Sequence, residues 1–224
     1  VIELAVLDIA GTTVEEHGAV YLALEEAVRA AGGDPSAAAI RRWMGADKRE
    51  AITALLAESQ GGAPAPETVD AAFADFRARL DAAYAARPPA PLPGVPEAIA
   101  TLRAAGVKVA LTTGFDREVT TALLAAIGWQ DGVLDAVVCV DDVPSGRPAP
   151  YMIFRAMEAT GVRDVGRVLT AGDTVRDLEA GTNAGARIVA GVLTGSQDAA
   201  ALGAVRHTHL LPGVAAIPAL LSLS

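Results

Sequence analysis

The chain has one cysteine, two lysines and no apolar run long enough to cross a bilayer. A single thiol cannot build an internal disulfide framework. Cys139 stands in the apolar run Ala136-Val137-Val138-Cys139-Val140, where a small buried hydrophobe is the expected role. A membrane helix needs about 20 consecutive apolar residues. No such run occurs, and no charged segment leads into an apolar stretch near the start. A soluble, cytoplasmic protein is therefore expected. Basic charge is also short: 18 Lys and Arg face 27 Asp and Glu, a formal net charge of −9. Nucleic acid and anionic membrane both reward basic patches, so neither is expected as a main partner. Of the three histidines, His207 and His209 lie two apart with no third ligand nearby, the pattern of surface or strand-end residues. Trp43 and Trp129 read as packing residues.

What is present is apolar: 52% of 224 residues, enough for one or two domains with a sizeable core. Short apolar runs at 2–7, 107–112, 136–140, 168–171 and 188–193 read as buried strands. Helical patterns such as 96–105 and 118–127 lie between them. Strands alternating with helices imply a parallel sheet with right-handed crossovers. The stretch from 14 to 92 breaks the alternation, with helical patterns only, at 21–31, 37–44, 47–59 and 67–86. Gly32-Gly33-Asp34-Pro35 and Gly61-Gly62-Ala63-Pro64 punctuate these helices. The stiff, proline-dense segment 87–94 returns the chain to the sheet. The expected fold is a three-layer α/β core with a parallel sheet, residues 1–14 and 93–224. An all-α cap, residues 15–92, is inserted after the first strand.

Four marked segments follow four of these strands: Asp8-Ile9-Ala10-Gly11-Thr12-Thr13, Thr112-Thr113-Gly114, Asp141 to Pro148 around Arg147, and Gly172-Asp173-Thr174-Val175-Arg176-Asp177. In an open parallel sheet these strand ends share one edge, where ligands bind. Asp8 and Asp173 suit a shared hard cation, and Mg²⁺ is commonly held by one or two carboxylates with phosphate and water. Thr113 and the backbone N–H groups around Gly11 and Gly114 suit phosphoryl oxygens, as does the planar fork of Arg147. Asp8 is then placed to attack phosphorus and form an aspartyl phosphate. Each segment alone also reads as ordinary local structure: a turn at Gly-Arg-Pro, or a helix cap at Asp173 or Thr174.

The four segments together resemble the motifs of the haloacid dehalogenase superfamily, in the variant of its phosphonatase (phosphonoacetaldehyde hydrolase-like) branch. Most of that superfamily carries a second aspartate two residues after the nucleophile and a lysine in the third motif. Here those positions hold Ala10 and Arg147, as in the phosphonatase branch. The resemblance implies Asp8 as nucleophile. It implies Mg²⁺ held by Asp8, Asp173 and the Ala10 carbonyl, with Asp177 supporting the metal's water shell. Gly11, Thr12, Thr113, Gly114 and Arg147 would bind the phosphoryl group. Met44-Gly45-Ala46-Asp47-Lys48 matches the branch's Met-Gly-x-x-Lys cap segment, which makes Lys48 the imine-forming (Schiff base) lysine and Met44 a substrate contact. Lys48 equally falls on a helical stripe with Ile52, Leu55 and Leu56, where a lysine simply borders an apolar face.

The departures are specific. The branch's histidine three residues after the lysine is Ala51 here, its cysteine after the first motif falls near His17 and Gly18, and its tyrosine is Phe115. Without the second aspartate an ester with a poor leaving group loses a general acid worth about 10²–10⁴-fold. An imine instead lets carbon leave phosphorus as an enamine. The expected activity is Mg²⁺-dependent hydrolysis of the C–P bond of a 2-oxoethylphosphonate. Two alternatives stand beside it: a phosphatase for a small, phosphoglycolate-like monoester, and a non-catalytic phosphate-binding module. The resemblance also implies a homodimer, and an inserted cap implies lid motion with hinges near 14–17 and 88–94.

Overall fold

In a computed structural model, which describes residues 1–223, the chain forms two compact units. One contains Val1–Glu15 and the chain from Ala90 onward; the other is Glu16–Pro89. The first begins with β1 (Leu4–Asp8) and β2 (Val14–Glu15). The second holds α1 (Ala19–Ala30), α2 (Ala37–Trp43), α3 (Lys48–Gln60) and α4 (Pro66–Ala86). The first resumes with β3 (Ala90–Pro91), α5 (Val95–Ala104), β4 (Lys108–Thr112), α6 (Arg117–Ala126), β5 (Ala136–Val138) and α7 (Tyr151–Thr160). It continues through β6 (Val168–Gly172), α8 (Val175–Ala184), β7 (Ile188–Val192), α9 (Ala199–Gly203), β8 (His209–Leu211) and α10 (Ile217–Leu220).

Six strands form one parallel sheet in the order β5-β4-β1-β6-β7-β8. All five residues of β1 are buried. A strand covered on both faces reads as a continuous apolar run, which is why Leu4-Ala5-Val6-Leu7 shows no alternation. Leu4, Val6 and Ala110 join Met152, Ile153 and Ala180 in one core cluster, so α7 and α8 cover that face. Alternation turns Ala5 and Leu7 to the opposite face, and both are fully buried there.

Chain order runs outward on one side of β1 and then, after β5, outward on the other. This reversal beside β1 opens the crevice where doubly wound sheets bind ligands. Register completes the placement. Asp8 pairs with Thr112, and Leu7 with Ala171, so Asp173 emerges one residue beyond the level of Asp8. The edge strand β8 lies outside the five apolar runs that read as strands. A second, two-stranded sheet pairs Val14 with Pro91 and Glu15 with Ala90.

The helical unit packs α1 against α4, with α3 beside both. Phe76, Leu80, Leu24, Ile40, Ile52, Leu55 and Leu56 are its largest fully buried side chains. Ser36 caps α2 through the Ala39 N–H. Asp47 caps α3 through the N–H groups of Arg49 and Glu50.

Candidate active site

Sequence and fold put Asp8 at the end of the central strand, where the next residues turn back sharply. The N–H groups of Thr12, Thr13 and Val14 all donate to the Ile9 carbonyl, and Gly11 N–H donates to Val14 O. Gly11 holds φ = 82°, the left-handed region that suits glycine. Its N–H closes the turn. The Thr12 hydroxyl lies 3.0 Å from Asp173 Oδ1 and 3.4 Å from Asp8 Oδ2, between the two carboxylates. Thr13 donates to the Asp8 carbonyl at 2.9 Å.

Asp8, Asp173 and Asp177 are all buried, and one oxygen from each falls within 4.8 Å of the others. Arg147 binds two of them, through its terminal nitrogen to Asp8 Oδ1 at 2.8 Å and through Nε to Asp177 Oδ1 at 2.9 Å. It also donates to Thr112 Oγ1 at 2.8 Å. Thr112 ends β4 and opens the second marked segment, and its register opposite Asp8 accounts for the contact. Asp177 plays two parts. Its Oδ2 accepts from the Thr174 N–H and hydroxyl, while Thr174 caps α8 by accepting from Asp177 N–H. The cap of this helix is thus Thr174, which leaves Asp173 to the site. Beyond β4, the Thr113 hydroxyl accepts from Phe115 N–H at 3.1 Å and keeps its own proton to donate.

Electrostatics follow from burial. Desolvation pushes Asp8 up to about 6, against the pull of Arg147 and with the help of Asp173. Asp177 also rises to about 6 through burial, with Arg147 opposing and Asp8 adding to the rise. Asp173 is raised by burial and then by Asp177. Burial works against the charge of Arg147, but Asp177 and Asp8 outweigh it and hold its pKa above the ordinary value. Three carboxylates thus share one guanidinium. That surplus of negative charge, on oxygen donors alone, fits a hard divalent cation such as Mg²⁺.

Lys48 and Met44 belong to the helical unit. Met44 is the C-cap of α2, and Gly45 follows at φ = 80°. Lys48 is the first residue of α3, is 4% exposed, and donates from Nζ to the Ala46 carbonyl at 2.7 Å. It lines up with buried Ile52, Leu55 and Leu56, so the stripe read from sequence exists, and its lysine is covered rather than reaching to solvent. His17 has φ = 61°, a strained setting for a non-glycine residue. His209 opens β8, with Nδ1 2.9 Å from Thr208 Oγ1, and His207 Nδ1 lies 2.8 Å from Val205 O. Cys139 is fully buried, and desolvation pushes its thiol up to about 11.

The profile of the haloacid dehalogenase-like hydrolase family matches residues 2–185, and the chain belongs to that family. Within it, a phosphonoacetaldehyde hydrolase from Bacillus cereus (strain AH820) is 33% identical over 209 residues, covering 88% of this chain and 78% of its own. Two solved structures share the fold. A phosphonoacetaldehyde hydrolase-like protein from Oleispira antarctica superposes with a TM-score of 0.81 at 23% identity, over 99% of this chain and 91% of its own. A predicted phosphoglycolate phosphatase from Haemophilus somnus superposes with a TM-score of 0.76 at 17% identity, over 98% of each chain. Membership of a hydrolase family sets aside the non-catalytic phosphate-binding module. No helix among the described residues is long and apolar enough to cross a membrane.

Proposed function

We propose that this hydrolase cleaves the C–P bond of a 2-oxoethylphosphonate, phosphonoacetaldehyde or a close relative, with Lys48 and Asp8 as its two covalent residues. Lys48 carries the reading. Long, charged and one of only two lysines, it is buried at the first turn of α3, held by a backbone carbonyl. Imine chemistry uses the amine of a lysine as the nucleophile toward an aldehyde.

In this reading the Lys48 amine adds to the substrate's aldehyde, and water leaves to give an imine. The Asp8 carboxylate then attacks phosphorus. The C–P bond breaks, and its electron pair passes into the protonated imine to give an enamine. Proton uptake at carbon and hydrolysis of the imine release the aldehyde and restore the lysine. Water then cleaves the aspartyl phosphate to phosphate and Asp8. No general acid at residue 10 is needed, because the leaving carbon is never a bare carbanion; Ala10 supports the reading on this ground.

Asp8, Asp173 and the Ala10 carbonyl would hold Mg²⁺, with Asp177 behind its water shell. When bound, the ion supplies positive charge against the phosphoryl oxygens. Arg147 keeps Asp8 oriented and ionised at neutral pH, and the Thr113 hydroxyl proton offers the phosphoryl group a donor.

Borohydride added with phosphonoacetaldehyde is expected to inactivate the protein and leave a reduced adduct on the peptide containing Lys48. Lys48→Arg is expected to abolish both trapping and turnover, since arginine stays protonated. Turnover of the phosphonate by Lys48→Arg at the wild-type rate would remove the imine step. A second reading, a small-monoester phosphatase, draws on the carboxylate cluster and Arg147 alone. Under it, phosphate release from esters such as phosphoglycolate is brisk and indifferent to Lys48.

A further inference from the structure

The loop after β7, Thr194-Gly195-Ser196-Gln197, carries none of the family's four motifs, yet three of its side chains reach the site. The Thr194 hydroxyl donates to the Gly11 carbonyl at 2.8 Å. The Gln197 carbonyl oxygen accepts from Val175 N–H at 2.7 Å, at the start of α8. Ser196 does the most: its N–H and its hydroxyl lie 2.8 Å and 3.1 Å from one oxygen, Asp173 Oδ2. The other oxygen, Oδ1, takes the Thr12 hydroxyl that also reaches Asp8.

The fit between loop and carboxylate leaves no slack. A Cβ at Gly195 would stand 2.0 Å from Asp173 Oδ2, and one at Gly11 would stand 2.8 Å from the same atom and 3.0 Å from Gly195 Cα. Asp173 is thus sandwiched between two glycines and fastened by Ser196. An aspartate has a soft terminal torsion. Two donors on one oxygen fix it, so that Oδ1 stays on the side of Asp8.

We propose that Ser196 is a positioning residue for the divalent cation, holding Asp173 so that its carboxylate and that of Asp8 bind the ion together. The proposal rests on reading the three-carboxylate cluster as a cation site, and not on the identity of the substrate. Hydrogen bonds to ligating carboxylates tune metal affinity, and their loss typically costs about 10–100-fold.

The test is isothermal titration of MgCl₂ into the full chain, cleared of metal with EDTA, for the wild type, Ser196→Ala and Ser196→Thr. Ser196 is solvent-exposed, so an added methyl has room. Ser196→Ala is expected to bind Mg²⁺ ~10–100-fold more weakly, and Ser196→Thr within ~3-fold of wild type, because only the first loses the hydroxyl donor. The metal-free melting temperature of Ser196→Ala is expected to fall by only about 2–4 °C, the scale of one lost hydrogen bond in a chain of this size. An unchanged Kd in Ser196→Ala, with or without a lower melting temperature, overturns the proposal. Equal weakening in both variants overturns it too, since the hydroxyl would then not be the cause. A wild-type chain that binds no Mg²⁺ removes the cation site itself, an outcome distinct from both.

Discussion

Arg147→Met should destabilise the metal-free protein strongly at pH 8 and much less at pH 5. In the native protein the guanidinium answers two buried carboxylates at 2.8 and 2.9 Å. Methionine roughly keeps the volume and removes the charge, leaving Asp8, Asp173 and Asp177 together with no buried cation on them. Breaking a buried pair in this way costs about 3–5 kcal/mol. With a urea slope of about 2 kcal/mol per molar, the midpoint falls by roughly 1.5–2.5 M at pH 8. The pH dependence has a definite sign. Asp8 and Asp177 titrate near 6 in the folded protein, above their ordinary value of 3.8. Raised carboxylates add stability that is full below the unfolded pKa and is lost as pH climbs through the folded one. At pH 5 both are largely protonated, so Arg147 has less charge to neutralise and its removal matters less. Urea unfolding in EDTA at the two pH values measures this. A Trp43→Phe background leaves Trp129, buried in the α/β unit, as the reporter. Equal losses at pH 5 and pH 8, or a loss under about 1 kcal/mol at pH 8, would refute the electrostatic argument.

Asp8→Asn is expected to lower turnover by ~10⁴-fold or more while leaving the fold intact, since it removes the proposed nucleophile; steady-state phosphate release measures it. Ala10→Asp should raise hydrolysis of simple phosphomonoesters by roughly 10²–10⁴-fold by supplying the absent general acid; no gain over wild type in a p-nitrophenyl- and alkyl-phosphate panel would count against the role given to residue 10. Cys139, with its thiol pushed up to about 11 by burial, should resist iodoacetamide at pH 8 in the native protein. Only ~0.1% is thiolate there, and labelling followed by mass spectrometry should become fast only after unfolding.

The strands and the residues that end them were legible because both faces of β1, β4, β6 and β7 are covered, which forces apolar runs, and because polar residues break those runs at one edge. Asp8, Thr113 and Asp173 stand where the runs stop. What escaped notice is held by contacts distant in sequence. Thr112 belongs to the apolar run by position and to Arg147 by register. Ser196 sits 23 residues beyond Asp173 in a segment that reads as a plain turn. Thr12 reads from its motif as a phosphate binder, and its two carboxylate partners come only from the fold. The turn after β1 likewise hid that Gly11 spends its N–H on Val14, since a glycine announces a bend without saying which donor the bend consumes.

The short pairing of Val14 with Pro91 and Glu15 with Ala90 reaches beyond its four residues. It is a clasp: the chain leaves for the helical unit and returns at one stitched point. Closure entropy grows only slowly with the length enclosed, so the core barely registers what is spliced beyond that stitch. Evolution, or an engineer, is free to exchange the insert for another. The three buried carboxylates, one at the end of β1 and two beyond the end of β6, lie outside the insert and would be inherited unaltered.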